Sequence, residues 1–460
     1  MPRRFAFIAT LLALVAGTYA AATAQTMPAV AGGGSERVLH AFTGAPDGAI
    51  PFAGAPVLEG AGNLYGTTPL GGTGSCFYRQ RNLGCGTVFE LTPARNGRSV
   101  EHILYSFKNF ADGMQPYGTL TLGAGGRIYG VTAAGGVRGQ GCVPPYFGLL
   151  GCGTAFELTP HAGGTWTKRT LHVFTGGSDG GLPESDLVAD AAGNLYGALY
   201  CGGGRDSCYG EDDLGGAFFE LQRARGGAWH VAILHAFTAK SGECCPLGDL
   251  TPDGAGNIYG TTAFSAYEMR PTPHSSRWSE RELFRFGPFA GGWYPQGGLA
   301  LDAAGNLYGT TYDGGDVSCT QAEGCGVVFE LTPPSSGSEW SETVLHAFTG
   351  KRDGALPYTA GLAIDSAGRL YGTTSNGGDP SCNNGGGCGI VFMLEPGAST
   401  WRERVLHVFE DDATDGGMPT SAVVRDGEGH LYGTTSYGGP AGPYAGGTVF
   451  RLMVPAPSSS

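Results

Sequence analysis

The sequence predicts an all-β fold, a seven-bladed β-propeller of four-stranded antiparallel blades, and three observations lead to this prediction. The pattern Leu-Tyr-Gly-Thr-Thr, complete at 307–311, occurs in seven versions, most of them after an Asp-x-x-Gly turn and all before an apolar strand such as 326–331. The motif tyrosines are 61 to 67 residues apart, except for 49 between the fourth and fifth. Each period holds four strand-like segments, and radial repetition of such units forms a propeller.

The chain begins with segments outside this repeat. Arg3 and Arg4 precede an apolar run at 5–16 and small residues up to Ala24, which predicts a signal peptide at 1–24. Residues 25–35 are predicted to be a flexible linker, 36–453 the propeller and 454–460 a disordered tail. No later run is apolar and long enough to span a membrane. We therefore expect a secreted or periplasmic monomer without membrane insertion.

The strands can be assigned in order within a repeat. In the sixth they lie at 358–364, 369–374, 389–394 and 401–409. The last repeat stops after 449–452 without its Leu-His-x-Phe strand, whereas an extra strand of this kind lies at 36–42. We expect this N-terminal strand to complete the last blade and close the ring. The fourth repeat is short enough to have lost one strand, with 282–286 serving as its third or its fourth.

Charge and cysteine content indicate which partners and which cellular compartment to expect. The net charge is -13 and falls to -15 after loss of the signal's two arginines, which disfavours nucleic acid as a partner. Twelve cysteines in an exported chain predict disulfides. Four pairs bracket equivalent loops: Cys76 and Cys85, Cys142 and Cys152, Cys319 and Cys325, Cys382 and Cys388. Adjacent Cys244 and Cys245 could form a vicinal disulfide, bond to Cys201 and Cys208, or stay reactive thiols; we favour the cross-loop bonds.

The repeat also resembles a known family. Leu-Tyr-Gly-Thr-Thr at 64–68, Gly-Gly at 71–72 and Gly-Thr-Val-Phe-Glu-Leu at 86–91 are similar to the GloVer tandem repeat of bacterial secreted proteins. The resemblance covers nearly all of 36–453. It implies a secreted repeat protein without an assigned biochemical role, and it supplies no catalytic residues. The turn Asp-x-x-Gly-Asn-Leu-Tyr is, more generically, similar to NHL-type and gluconolactonase-like propellers.

Strand order places the variable loops on one face. If the strand before each Asp-x-x-Gly turn is innermost, the long loops and the Asp-Gly-x-x-Pro segments share a face, here called the loop-rich face, and the short turns share the opposite turn face. Residues repeated in most blades are read as packing, including the histidines of Leu-His-x-Phe. The repeated aspartates are read as turn formers. The alternative is that several of them hold a cation such as Ca²⁺ near the channel mouth: Asp47, Asp112, Asp179, Asp353 and Asp415. No other cofactor is predicted.

Repeats three to five break the symmetry and supply the candidate site. Histidine, tyrosine and arginine are suited to proton transfer and anion binding, and exposed aromatic rings to stacking on a sugar. The catalytic candidates are Tyr267, His274, Arg277 and Arg205. The ligand-binding candidates are Trp293, Tyr294, Asp206 and Glu211. The alternative is a degenerate blade held together by local contacts.

Two functions fit this sequence. The favoured one is a scaffold that binds an extracellular ligand, a glycan or a protein surface, on the loop-rich face. The other is a polysaccharide-active lyase or hydrolase with its site on the same face. The acidic net charge disfavours a polyuronate substrate, because such a polymer would be repelled. The sequence does not decide whether the protein is an enzyme.

Overall fold

The computed structural model describes residues 35–454 except 53, 79–80, 95–98, 138–141, 143–150, 205–214, 239–243, 274–276, 288–290, 317, 320–322, 359–360, 413 and 441–445. The predicted signal peptide, nearly all of the predicted linker and the tail from 455 onward lie outside the described residues. Within them, the chain forms seven antiparallel sheets of four or five strands and three two-stranded sheets, accompanied by three single-turn 3₁₀ helices at Phe110–Asp112, Ala124–Gly126 and Asn383–Gly385.

The first three blades follow one another along the chain after the N-terminal strand β1 (Ser35–Ala41). The first blade contains β2 (Gly48–Ala49), β3 (Val57–Leu58), β4 (Leu64–Thr68), β5 (Leu70–Gly71), β6 (Phe77–Tyr78), β7 (Arg81–Asn82), β8 (Thr87–Pro93) and β9 (Ser99–Ser106). The second contains β10 (Met114–Leu122), β11 (Ile128–Ala134), β12 (Thr154–Pro160) and β13 (Trp166–Val173). The third contains β14 (Gly181–Pro183), β15 (Val188–Ala189), β16 (Leu195–Cys201), β17 (Gly216–Arg223) and β18 (Trp229–Phe237).

The remaining four blades complete the ring. The fourth contains β19 (Leu247–Pro252), β20 (Ile258–Thr261), β21 (Ser265–Pro271) and β22 (Trp278–Arg285). The fifth contains β23 (Trp293–Pro295), β24 (Ala300–Leu301), β25 (Leu307–Asp313), β26 (Val327–Thr332) and β27 (Ser341–Ala347). The sixth contains β28 (Ala363–Ile364), β29 (Leu370–Thr374), β30 (Ile390–Glu395) and β31 (Arg402–Val408). The seventh contains β32 (Gly416–Gly417), β33 (Val424–Arg425), β34 (His430–Thr435), β35 (Tyr437–Gly438) and β36 (Thr448–Met453).

The N-terminal strand closes the ring as predicted. Strand β1 pairs antiparallel with β36 from Ser35 opposite Met453 to Ala41 opposite Thr448, with a one-residue shift of register between Val38 and His40. The seventh sheet therefore has the strand order β1-β36-β34-β33, with its outermost strand taken from the opposite end of the chain. The seven-bladed propeller predicted from the repeats is confirmed.

The fourth blade differs from the prediction that it had lost a strand. It has four strands in the order β19-β20-β21-β22, so that prediction is wrong. The blade is short because the connection between its second and third strands is a tight turn at 262–264, in which Thr262 Oγ1 accepts hydrogen bonds from the backbone N–H groups of Phe264 and Ser265. In other blades this connection is a long loop.

The repeated motif is explained by contacts within each blade. In the first blade, a Cβ added to Gly66 would lie 2.5 Å from Cζ of Phe89, so the glycine makes room for the phenylalanine ring. The Tyr65 hydroxyl donates to Glu90 Oε1 at 2.9 Å. The hydroxyl groups of Thr68 and Thr87 are hydrogen-bonded to each other at 2.8 Å. These repeated positions of the pattern thus link the second strand of the blade to the third.

Neighbouring blades are joined by aromatic pairs at what we call the seams. At each seam the phenylalanine that ends one blade packs against an aromatic side chain of the next blade's third strand, with ring centroids 4.8 to 5.3 Å apart. The histidine two residues earlier packs edge-on against the same ring, as His407 does on Phe409 at 4.7 Å. The reading of the repeated histidines as packing residues is therefore correct.

Candidate functional site in the central channel

The innermost strands surround the propeller axis, and a proline at or shortly before each of them follows a residue with unusual backbone geometry. The residue preceding that proline has a φ between 53° and 69° in all seven blades. Such left-handed conformations are rare for non-glycine residues. The seven residues are Ile50, Gln115, Leu182, Cys245, Tyr294, Leu356 and Met418. The residues that follow three of these prolines, Phe52, Tyr117 and Tyr358, lie close to one another across the axis.

One side of the channel mouth is aromatic. The Tyr117 and Phe52 rings lie 6.2 Å apart, Phe52 and Tyr358 lie 5.5 Å apart, and Tyr358 and Tyr312 lie 5.4 Å apart. These four rings come from the second, first, sixth and fifth blades. Phe52, Tyr117 and Tyr358 each keep part of their surface exposed. They offer flat apolar faces together with hydroxyl groups.

The opposite side of the channel is acidic. Glu184 follows the proline of the third blade, and Asp186 lies two residues deeper. Asp249 occupies the same level in the fourth blade, where its Oδ1 accepts from the Asp186 backbone N–H at 3.2 Å. Its Oδ2 accepts from Thr119 Oγ1 of the second blade at 2.5 Å. Asp186 Oδ1 in turn accepts from the Leu250 N–H at 2.8 Å.

The two aspartates differ in how readily they ionise. Burial raises the pKa of both carboxyls, and the negative charge of Asp249 raises the pKa of Asp186 further. Asp249 accepts from both a hydroxyl and an amide, and such bonds favour the ionised form. Asp249 is therefore the better anion of the two, and Asp186 holds its proton more tightly. Burial, followed by the charge of Glu184, also raises the pKa of Tyr117.

A second aromatic group lies beside the channel on the loop-rich face. The rings of Trp293 and Tyr294 stack at 4.4 Å with an interplanar angle of 18°, and Phe264 lies 5.6 Å from Tyr294. Trp293 and Tyr294 replace the residues that follow Asp-Gly in other blades. Both are half-buried. The predicted ligand-binding aromatics are thus brought together.

Comparison with protein families decides the identity of the repeat. The family described as the Gloeobacter/Verrucomicrobia repeat matches residues 13–262 and 265–458. The chain belongs to the Gloeobacter/Verrucomicrobia repeat family. The resemblance stated from the sequence is confirmed. No curated protein matches the chain.

Solved structures similar to this Gloeobacter/Verrucomicrobia repeat protein include virginiamycin B lyase from Staphylococcus aureus, at 11% identity and a TM-score of 0.48, covering 91% of this chain and 99% of the lyase. The extracellular domain of a putative one-component system from B. thetaiotaomicron has 9% identity and a TM-score of 0.47, covering 91% of this chain and 39% of that chain. A luciferin-regenerating enzyme has 13% identity and a TM-score of 0.42, covering 80% and 99%. At these scores the matches carry no functional argument.

Two catalytic candidates of the Gloeobacter/Verrucomicrobia repeat protein are placed away from the channel mouth. Tyr267 is 1% exposed and pairs with Gly260 in register, so it fills the core position held by Phe89 in the first blade. Arg277 is exposed in the hairpin between β21 and β22, on the turn face. Neither placement fits the predicted site, because Tyr267 to Arg270 form the third strand rather than a loop. His274, Arg205, Asp206 and Glu211 lie outside the described residues.

The predicted cation ligands of the family member do not meet. Asp179 and Asp415 contact His172 and His407 at 3.0 and 3.1 Å, and Asp112 contacts Lys168 at 3.1 Å. Asp47 and Asp353 have equivalent histidine partners. The five carboxylates therefore lie at five separate seams rather than around one channel mouth. Binding of Ca²⁺ by any of them stays a prediction.

The cysteines largely follow the prediction. The four expected disulfides are present: Cys76–Cys85, Cys142–Cys152, Cys319–Cys325 and Cys382–Cys388. Cys201 is also disulfide-bonded, whereas Cys244 and Cys245 are buried thiols. The favoured cross-loop bonds are therefore wrong. Cys244 and Cys245 precede β19 and share a buried cluster with Cys201 and Leu247, while Cys208 lies outside the described residues.

The acidic pair was missed although the repeat contains a signal for it. Aligned on the apolar residue that follows, the equivalent inner-strand positions read Ala55, Thr119, Asp186, Asp249, Gly298, Gly361 and Ala422. Only the third and fourth blades have carboxylates there. Within the described residues, the structure contains no helix with the length and apolarity needed to cross a membrane.

Proposed function

We propose that this protein binds an extracellular carbohydrate at the mouth of its channel on the loop-rich face. The observation that carries the proposal is the division of the mouth into an aromatic side and an acidic side. Aromatic faces suit the apolar faces of sugar rings. Carboxylates and tyrosine hydroxyls accept or donate hydrogen bonds to sugar hydroxyls. A flat apolar wall opposite polar groups is the arrangement that such an amphipathic ligand requires.

The setting supports an extracellular ligand. Four described disulfides indicate an oxidising compartment, since such bonds are rare in the cytosol of mesophiles. Export by the predicted signal peptide, and a monomeric state, are parts of the same proposal. N-terminal sequencing of the exported protein tests the first: a start at Gln25 is expected, and a retained Met1 contradicts it.

The binding proposal is tested on a glycan array followed by titration of the best ligand. We expect Phe52→Ala to weaken binding at least tenfold, because truncation removes the ring between Tyr117 and Tyr358. The matched control is Phe77→Ala, whose ring is 61% exposed outside the channel, and this variant should bind as the wild type does. Loss of binding in Phe77→Ala with retention in Phe52→Ala would place the ligand elsewhere.

A second candidate function is cleavage of a glycan, and the Asp186–Asp249 pair favours it. Two interacting carboxyls that differ in how readily they ionise are suited to acid–base catalysis. In a hydrolysis, Asp186 would donate its proton to the leaving glycosidic oxygen and Asp249 would take a proton from the attacking water. Asp186 would then be ionised and Asp249 protonated. Transfer of the proton from Asp249 to Asp186 would restore the starting state.

Product analysis separates binding from cleavage. Incubation of the bound glycan with the wild type should yield new reducing ends or unsaturated products if the protein is an enzyme. Asp249→Asn should abolish them while leaving binding in place. Asp190→Asn, which removes a carboxylate of the turn face, serves as the control and should retain turnover. Products that persist in Asp249→Asn would exclude the acid–base role of this pair.

A further inference from the structure

Two seams flank the ring-closing strand β1, and each brings together a histidine and two carboxylates. At one seam His40 of β1 lies beside Asp47, which precedes the first inner strand, and Glu101 of β9. At the other seam Glu36 of β1 lies beside His407 of β31 and Asp415, which precedes β33. Each group therefore joins three separate segments, and each takes one ligand from β1. In both groups the three donor atoms lie within 4.8 Å of one another.

The donor atoms are closely spaced and buried. His40 Nε2 lies 3.4 Å from Asp47 Oδ2 and 3.7 Å from Glu101 Oε1, and the three side chains are 13 to 19% exposed. His407 Nε2 lies 3.1 Å from Asp415 Oδ2. Within the described residues, Glu36 Oε1 is buried and has no hydrogen-bond partner, while His40 Nε2 and Glu101 Oε1 are buried beside each other and beside Asp47. Buried polar atoms are normally satisfied, so Glu36 Oε1 requires an explanation.

The spacing around His40 is close to that of ligands around one small cation, and the donor atoms of the Glu36 group lie within 4.8 Å of one another. Ligand bonds of about 2.0–2.2 Å to tetrahedral Zn²⁺ place neighbouring donors roughly 3.3–3.6 Å apart. We propose that each of the two groups binds one divalent transition-metal ion of the zinc type through a histidine nitrogen and two carboxylates. One imidazole and two carboxylates are a donor set that such ions accept, and water completes the coordination.

Two other seams lack one part of this set and provide internal controls, whereas the seam between the fifth and sixth blades has all three residue types, His346, Asp353 and Glu403, at a wider spacing. In the first blade Glu101 lies opposite Leu91. At the seam of His172 and Asp179 the equivalent position, opposite Leu221, is held by Val231, so the glutamate is missing. At the second blade's seam Tyr105 replaces the histidine and Lys168 replaces the glutamate, so a cation is already supplied by the chain. The complete, closely spaced set thus occurs, among the described seams, on both sides of β1.

The position of the two groups predicts what metal binding does. An ion that binds the folded state stabilises it by mass action, and at 100-fold excess over Kd it reduces the opened population about 100-fold. Because Glu36 and His40 are both on β1, opening of this strand would break both sites. Metal binding therefore fastens the N-terminal strand to the first and sixth blades.

The experiment is a titration of the full exported protein with ZnCl2 after treatment with EDTA. Calorimetry should show two ions per chain, with one lost in Glu101→Gln and one in His407→Asn. The control His172→Asn should retain both. Absence of binding, or binding unchanged in Glu101→Gln and His407→Asn, overturns the proposal.

A second measurement covers the case in which a variant folds poorly. Trypsin cleavage after Arg37, within β1, should slow at least 100-fold in the wild type when zinc is present at 100-fold excess over Kd. Cleavage after an exposed arginine away from the two seams, Arg277, should not change. Equal rates at Arg37 with and without zinc would show that the ion does not hold this strand, and would overturn the proposal.

Discussion

Glu342 offers a direct test of how the seams respond to pH. At the seam between the fourth and fifth blades, Phe284 and Gly291 stand where other seams have histidine and aspartate. A Cβ at Gly291 would lie 2.5 Å from Glu342 Oε2, so the carboxyl fills this space. Its Oε1 is buried without a hydrogen-bond partner among the described residues. Burial raises the pKa of Glu342 from 4.5 to about 7.

The sign and size of the effect follow from this shift. Between pH 4.5 and 7 the folded protein holds a proton that the unfolded chain has released, so the free energy of unfolding falls as pH rises. The stabilisation is complete below pH 4.5 and lost above 7. The full shift corresponds to about 3 kcal/mol. Because part of the side chain reaches water, screening reduces the expected effect to about 1–2 kcal/mol.

The assay is urea unfolding of the Glu342→Gln variant at pH 4.5 and pH 8. The amide cannot ionise, so the variant should match the wild type at pH 4.5 and exceed it by about 1–2 kcal/mol at pH 8. Glu339→Gln, an exposed neighbour, should change neither value. A Glu342→Gln effect of equal size at both pH values would refute the reasoning, since a pH-independent change cannot come from ionisation.

Two further predictions concern the packing of the first blade. Phe42→Ala should lower the free energy of unfolding by about 3–5 kcal/mol, because the fully buried ring packs 5.2 Å from Phe89. Chemical denaturation measures this change, and a loss under ~1 kcal/mol would contradict a role in ring closure. Gly66→Ala should cost about 1–3 kcal/mol because its Cβ would meet the Phe89 ring, whereas Gly60→Ala, with open space around it, should be nearly neutral in the same measurement.

The architecture could be predicted from the sequence because each blade repeats the same contacts. The phenylalanine of each Leu-His-x-Phe strand has a partner in the next repeat, so the period, the strand count and the closing strand all follow from one alignment. The prediction for the fourth blade was wrong because its strands were assigned from the length of the repeat. Pairing Gly260 with an aromatic residue, as Gly66 pairs with Phe89, would have placed Tyr267 in the core.

The sequence predicted a site on the third to fifth repeats, whereas the candidate site in the channel also takes aromatic rings from the first, second and sixth blades. The third to fifth repeats do contain the departures from symmetry, and Trp293 and Tyr294 do come together. Asp186 and Asp249 were not predicted because they lie on the strand that follows the Asp-Gly segment, whereas the prediction relied on that segment and on the long loops. Their meeting depends on the close approach of three inner strands around the axis, and a linear sequence does not display that approach.

The pairing of the two chain ends in one blade has a mechanical consequence. Ser35 lies opposite Met453, so the described ends of the chain leave the propeller at the same end of two paired strands. A force that pulls these ends apart would load the β1–β36 hydrogen bonds one after another, as in opening a zipper, rather than all at once in shear. Under tension applied through its termini, the ring should therefore open at this blade first and at low force.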